Sequence, residues 1–246
     1  MEELRWWSRI LVVSAIVAVV LLVAGPLGYK FGLSPLQPSL VSLLIALFTG
    51  AVVVLLAFIM TIVSQVKALP RNRNLTVVAL LVGAIPIVVM VPQMMAAQSV
   101  PPIHDITTDT VDPPRIFEVV ALHADAPNDL EYGMENIPPE EMAKMQQAAY
   151  PEVRTLATEL DVASAVARAA DLMASQGHEV VNVDAAAGIV EGTATTFWFG
   201  FKDDMVVRVR PGDDGGSIVD MRSVSRVGQS DVGANAARIV AFLEAF

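Results

Sequence analysis

Cysteine is absent from the 246 residues. Its absence excludes a disulfide framework, a thiolate nucleophile and any cysteine-based zinc site. It does not identify a compartment, because the part of the chain after residue 100 is long enough to bury a core without covalent staples. Charge is also scarce at first. Residues 1–100 carry six basic residues (Arg5, Arg9, Lys30, Lys67, Arg71, Arg73) and two acids (Glu2, Glu3), a net of +4. Residues 101–246 lack the opposite: ten basic against twenty-four acidic residues give −14. Phosphates would be repelled by such a domain, so nucleic acid is excluded as a partner. No phosphate-cradling loop or catalytic motif is present; no catalytic residue and no cofactor are expected.

The chain does have long apolar runs. Three, about 10–29, 40–63 and 75–95, contain no Asp, Glu, Lys, Arg or His and are long enough to cross a hydrocarbon layer of roughly 30 Å. Trp6 and Trp7 before the first, and Tyr29 and Phe31 after it, suit the two interfaces. Arg5 and Arg9 ahead of an apolar run also fit a cleaved signal peptide, but no small-x-small cleavage site follows, and two further spans keep the chain in the bilayer. The spans carry none of the ionisable residues that proton relays and ion pathways use, so transport through them is not expected. Gly50 and Pro86 could allow close helix packing or a kink, but isolated small residues and prolines are common in such helices, and the ordinary reading is preferred. Lys67, Arg71 and Arg73 lie between the second and third spans, whereas the first connector has only Lys30. The positive-inside rule then places the amino terminus in the cytoplasm. The expectation is a multi-pass protein of a bacterial inner (plasma) membrane, with its carboxy-terminal domain periplasmic or extracellular.

Residues 1–98 thus read as a membrane domain, 99–150 as a Pro-rich linker and extended loop, and 151–246 as an α+β domain. Pro101-Pro102 and Pro113-Pro114 bracket an extended stretch, and 124–141 reads as a long polar loop. A strand is expected over 153–160. Asp161 should cap a helix that runs to Gln176 and stops at Gly177, with Val162, Val166, Ala169 and Met173 on one face. Four strand-like runs follow, at 179–184, 189–201, 205–210 and 217–224. Lys202-Asp203-Asp204 and the Gly212–Gly216 run supply hairpin turns, so neighbouring strands should be antiparallel. A closing helix over 231–246 puts Val232, Ala236, Ile239, Leu243 and Phe246 on one stripe. The fold class expected is three transmembrane α-helices, then an antiparallel sheet of about five strands with two helices packed on it.

Three segments together resemble a known family: Pro101-Pro-Ile-His-Asp-Ile-Thr-Thr-Asp109, Thr195-Thr-Phe-Trp-Phe-Gly-Phe-Lys-Asp-Asp204, and Arg222-Ser-Val-Ser-Arg-Val-Gly-Gln-Ser-Asp-Val-Gly-Ala-Asn235. They are similar to domain-of-unknown-function family 1499, over about Pro101 to the end. The resemblance implies a domain and no reaction, so it brings no catalytic residues with it.

Each reactive-looking motif has an ordinary alternative. Arg222, Arg226, Ser230 and Asp231 surround the start of the last helix, where amides and guanidinium could hold an anion. A plain cap at Ser230 or Asp231 accounts for the same residues. Gly228-Gln-Ser230-Asp-Val232 lacks the second glycine of a nucleophile elbow. Arg208 with Arg210, and Asp220 with Arg222, share strand faces and read as cross-strand pairs on a solvated surface. His104 with Asp105, Asp109 and Asp112 has no diagnostic ligand spacing, and no metal is expected. Phe197, Trp198, Phe199 and Phe201 read as core, with a lipid- or ligand-facing patch as the alternative. The function expected is that of a binding or assembly module at the membrane, with the bilayer and an envelope protein or lipid as partners. The alternatives are an enzyme acting on an anionic small molecule at the last helix, and a membrane component whose domain is a cap.

Overall fold

The computed structural model describes residues 3–123, 126–134 and 136–246. The chain forms two compact units, Met1–Ala96 with Trp198–Gly200, and Ala97–Phe197 with Phe201–Phe246.

The first unit is built on three helices, α1 (Trp6–Lys30), α2 (Leu36–Val66) and α3 (Pro70–Ser99). All are long and apolar enough to cross a membrane, and each extends beyond the charge-free run that predicts it. Their mutual packing uses small residues. A Cβ on Gly50 of α2 would lie 2.6 Å from the Gly83 carbonyl oxygen of α3 and 3.4 Å from Pro86 Cγ. Gly50 and Pro86 therefore have a specific place, where two helices approach closely. At one end, buried Asn72 accepts from Arg5 N at 2.8 Å and Ser8 Oγ at 2.9 Å and donates to the Glu3 carbonyl at 3.1 Å. These bonds satisfy a buried amide where no water would reach it.

The second unit contains β1 (Asp105–Thr107), α4 (Val120–His123), α5 (Pro139–Ala149), β2 (Leu156–Thr158), α6 (Val162–Ser175), β3 (Glu179–Asp184), β4 (Ile189–Thr195), β5 (Lys202–Pro211), β6 (Ser217–Ser225) and α7 (Ala234–Ala245). The antiparallel sheet runs β1-β6-β5-β4-β3, with β2 also pairing β6. Six strands replace the expected five, because β1, three residues long, lies in the stretch that its prolines make look like linker. The same stretch holds α5, which Pro139 opens from a first-turn position where its missing N–H costs nothing. The β4–β5 turn also lies elsewhere. Strand β4 ends at Thr195, and Thr196–Phe201 turns back through the Thr196 N–H to Phe201 carbonyl bond of 2.8 Å. Lys202, Asp203 and Asp204 belong to β5. Phe197 and Trp198 are exposed on that turn, so core packing does not describe them.

Helices α6 and α7 cover one sheet face. Asp161 caps α6 by accepting the Ser164 N–H at 2.8 Å. Val166, Ala169 and Met173 of α6, with Ala236, Ile239 and Phe242 of α7, pack on Met205, Val207, Val219 and Met221. The other face is covered too, by the segment leading from β1 to α5. Its Ile116, Val119 and Leu130 meet Ile189, Val206 and Val224. A sheet face expected to be solvated is thus an interior layer.

Candidate functional site

Strand alternation puts Asp204, Val206, Arg208 and Arg210 of β5 on the covered face, with Asp220, Arg222 and Val224 of β6 beside them in register. Every charge in this layer meets a partner. Asp105 and Arg222 form a two-pronged pair, Nε to Oδ1 at 2.9 Å and Nη2 to Oδ2 at 2.7 Å. Arg222 also donates to the Leu130 carbonyl at 2.8 Å and lies 5.6 Å from the Tyr132 ring centre. Asp220 accepts from Thr155 at 2.6 Å, Thr108 at 3.2 Å, Arg208 at 3.2 Å and Arg210 at 2.7 Å. Burial pushes the Asp220 carboxyl up, but the bonds from Thr155, Arg208 and Arg210 outweigh it and hold the group below the usual range.

Asp204 is the third centre. It accepts from Arg226 Nε and Nη2 at 2.8 and 2.7 Å and from Thr193 Oγ1 at 2.9 Å, and its Oδ2 lies 2.7 Å from His123 Nδ1. His123 Nε2 is 2.7 Å from the Asn128 carbonyl oxygen. Glu191 completes the layer by accepting the Phe117 and Glu118 N–H groups. These contacts tie a segment with little regular structure to the sheet at Asp105, Phe117, His123, Asn128 and Leu130.

The last part of that segment walls a cavity of about 700 Å³. Asp129, Glu131, Asn136 and Gln229 line it and are exposed to solvent, which puts them at its mouth, and Pro102, Pro127 and Pro139 line it too. His104 and Tyr132 belong to the wall, and His104 Nδ1 and the Tyr132 hydroxyl are buried with no hydrogen-bond partner among the described residues. Burial lowers the His104 pKa against the pull of Asp105, Asp231 and Asp203, which keeps the ring neutral near pH 7. Burial, then the Asp105 charge, raises the Tyr132 pKa, so the phenol keeps its proton.

The family described as Protein of unknown function (DUF1499) has a model that matches residues 105–246. The chain belongs to the DUF1499 family. No curated protein and no solved structure matches it. The match begins at the first residue of β1, so the segment over the charged face is part of the DUF1499 domain, and the three apolar helices lie outside it.

The residues that the sequence marks around the last helix go to separate places. Arg222 is in the Asp105 pair and Arg226 in the Asp204 centre. Asp231 accepts the Gly233 and Asn235 N–H groups at 2.8 and 2.7 Å, and Ser230 Oγ accepts from Val232 N at 3.2 Å. Helix α7 therefore begins later than expected, at Ala234, with the Asp231 carboxylate against its first amides. His104, Asp105, Asp109 and Asp112 do not converge either: Asp109 and Asp112 pair with Arg208. Among the described residues no group of three or more His, Asp or Glu could hold a metal ion. His123, Asn128 and Tyr132 carry no motif, and Asp204 enters only as the end of the second family-like segment. The only other sequence signal is that period two along β5 puts Asp204 on the face of Arg208 and Arg210.

Proposed function

We propose that this DUF1499 protein is a membrane-held binding module whose acidic domain lies on the extracytoplasmic side of a bacterial plasma membrane. Its ligand seat is the cavity beside His104 and Tyr132. The observation that carries the reading is the coupling of that cavity to the charged layer: Arg222 holds Leu130 and flanks Tyr132, and His123 holds Asn128. A wall fixed by buried ion pairs is preorganised, and preorganisation lowers the ordering cost of binding. The volume is in the ordinary range for small-ligand sites, roughly 300–1,000 Å³. The side asserted for the domain rests on Lys67, Arg71 and Arg73 in the loop between α2 and α3.

The test is a cavity-filling change at an exposed mouth residue, Asn136→Trp, in the full chain in detergent. A small-molecule panel should contain compounds that raise the melting temperature of the natural chain and leave the variant unmoved. A panel that shifts neither protein, or both equally, would count against a ligand seat here.

A further inference from the structure

The proposed seat has a one-sided chemistry. Among the described residues, no Lys or Arg lines the cavity, whereas two carboxylates stand at its mouth. Arg222, which flanks the Tyr132 ring, is matched by the buried Asp105 carboxylate. The Asn128, Asn136 and Gln229 amides, the neutral His104 ring and the Tyr132 hydroxyl can donate as well as accept, so the two carboxylates are what give the wall its sign. The wider field has the same sign, since residues 101–246 are net −14, and such a field concentrates cations at a cleft and repels anions.

We infer that the cavity takes a small organic cation, a molecule with at least one ammonium group and a short chain to lie against the prolines. An ammonium brings only donors to a wall rich in acceptors, and its charge is the one that the two carboxylates favour. A phosphorylated or carboxylated ligand would place an anion beside Asp129 and Glu131 with no cationic side chain to meet it. A neutral polyol would leave both carboxylates without a countercharge. This inference rests on the cavity being the ligand seat.

The test is calorimetric titration of the full chain in detergent with three probes: spermidine, maltose and glucose 6-phosphate. Spermidine should bind, and more weakly in raised salt. The combined Asp129→Asn, Glu131→Gln variant changes exposed residues and keeps their shape. It should bind spermidine about three- to tenfold more weakly. Asn136→Trp should abolish the binding. Spermidine heat that survives Asn136→Trp unchanged would mean that the amine sits on the acidic surface elsewhere, which overturns the inference. Maltose or glucose 6-phosphate binding that Asn136→Trp abolishes, with spermidine silent, would overturn the cation and leave the seat standing. Silence from all three, together with a flat melting panel, would remove both.

Discussion

Arg222 was legible in the sequence as a strand residue on the same face as Asp220, but its partner Asp105 lies 117 positions upstream and no local pattern links them. Strand periodicity tells which way a side chain points. It does not tell what lies above it, and here a segment that reads as linker does. The consequence is energetic. A cation exposed on a sheet costs little to remove, whereas Arg222 and Asp105 are both buried. Arg222→Leu should destabilise the domain by about 3–5 kcal/mol, because it leaves a carboxylate without countercharge. Replacing Asp105 by Leu as well should recover much of the loss. Urea unfolding of the two variants checks this, and an Arg222→Leu variant within about 1 kcal/mol of the natural chain, the size of an exposed surface pair, would contradict it.

Asp220 gives a pH signature at the same scale. Its folded pKa is depressed, so its contribution to stability is present above the ordinary aspartate value of about 3.9 and is lost as pH falls through the lower folded value. Stability should therefore fall on acidification below about pH 4. Asp220→Asn should be less stable at neutral pH and lose part of that acid dependence, as measured by urea unfolding across the acid range. Parallel profiles for the two proteins would show that Asp220 is not a source of it.

Elements were most legible where a long period and an end signal agreed. Helix α6 has both, an apolar stripe and the Asp161 cap, and β3 runs over the residues expected of it. Removing the cap with Asp161→Ala should lower the stability of the domain, read by thermal or urea unfolding, and an unchanged variant would show that the cap contributes nothing. Strand β1 was illegible because three residues carry no period, and α5 because its prolines resemble a break. The β4–β5 turn was misplaced because Thr196–Phe201 is aromatic and strand-like in composition, while the Asp pair after it resembles turn chemistry. In the helical unit the run lengths were legible, but the contact between α2 and α3 was visible only as the less favoured reading of Gly50 and Pro86. Gly50 gains its meaning from the Gly83 carbonyl opposite. Even one added carbon there meets backbone. Gly50→Leu should lower the melting temperature in detergent by an amount equivalent to about 1–3 kcal/mol, and Gly50→Ala by less; an unchanged Gly50→Leu variant would mean that the helices do not pack there.

For the whole molecule, the division into an apolar front and an acidic α+β domain was readable from composition, and the family resemblance located the second part to within a few residues of the match at 105–246. The cavity was not readable, because its wall joins residues near 104, 128–137 and 229, brought together only by the fold. The proposed role depends on the charge asymmetry between the two parts. The basic connector between α2 and α3 should stay inside, which leaves the acidic domain outside after a third crossing. Because the chain has no cysteine, introduced ones report without background. The decisive measurement is labelling of Asp213→Cys and Lys67→Cys variants by a membrane-impermeant maleimide in bacterial spheroplasts. Labelling of position 213 before lysis, and of position 67 only after it, is the predicted result. The reverse pattern would put the domain in the cytoplasm and contradict the account.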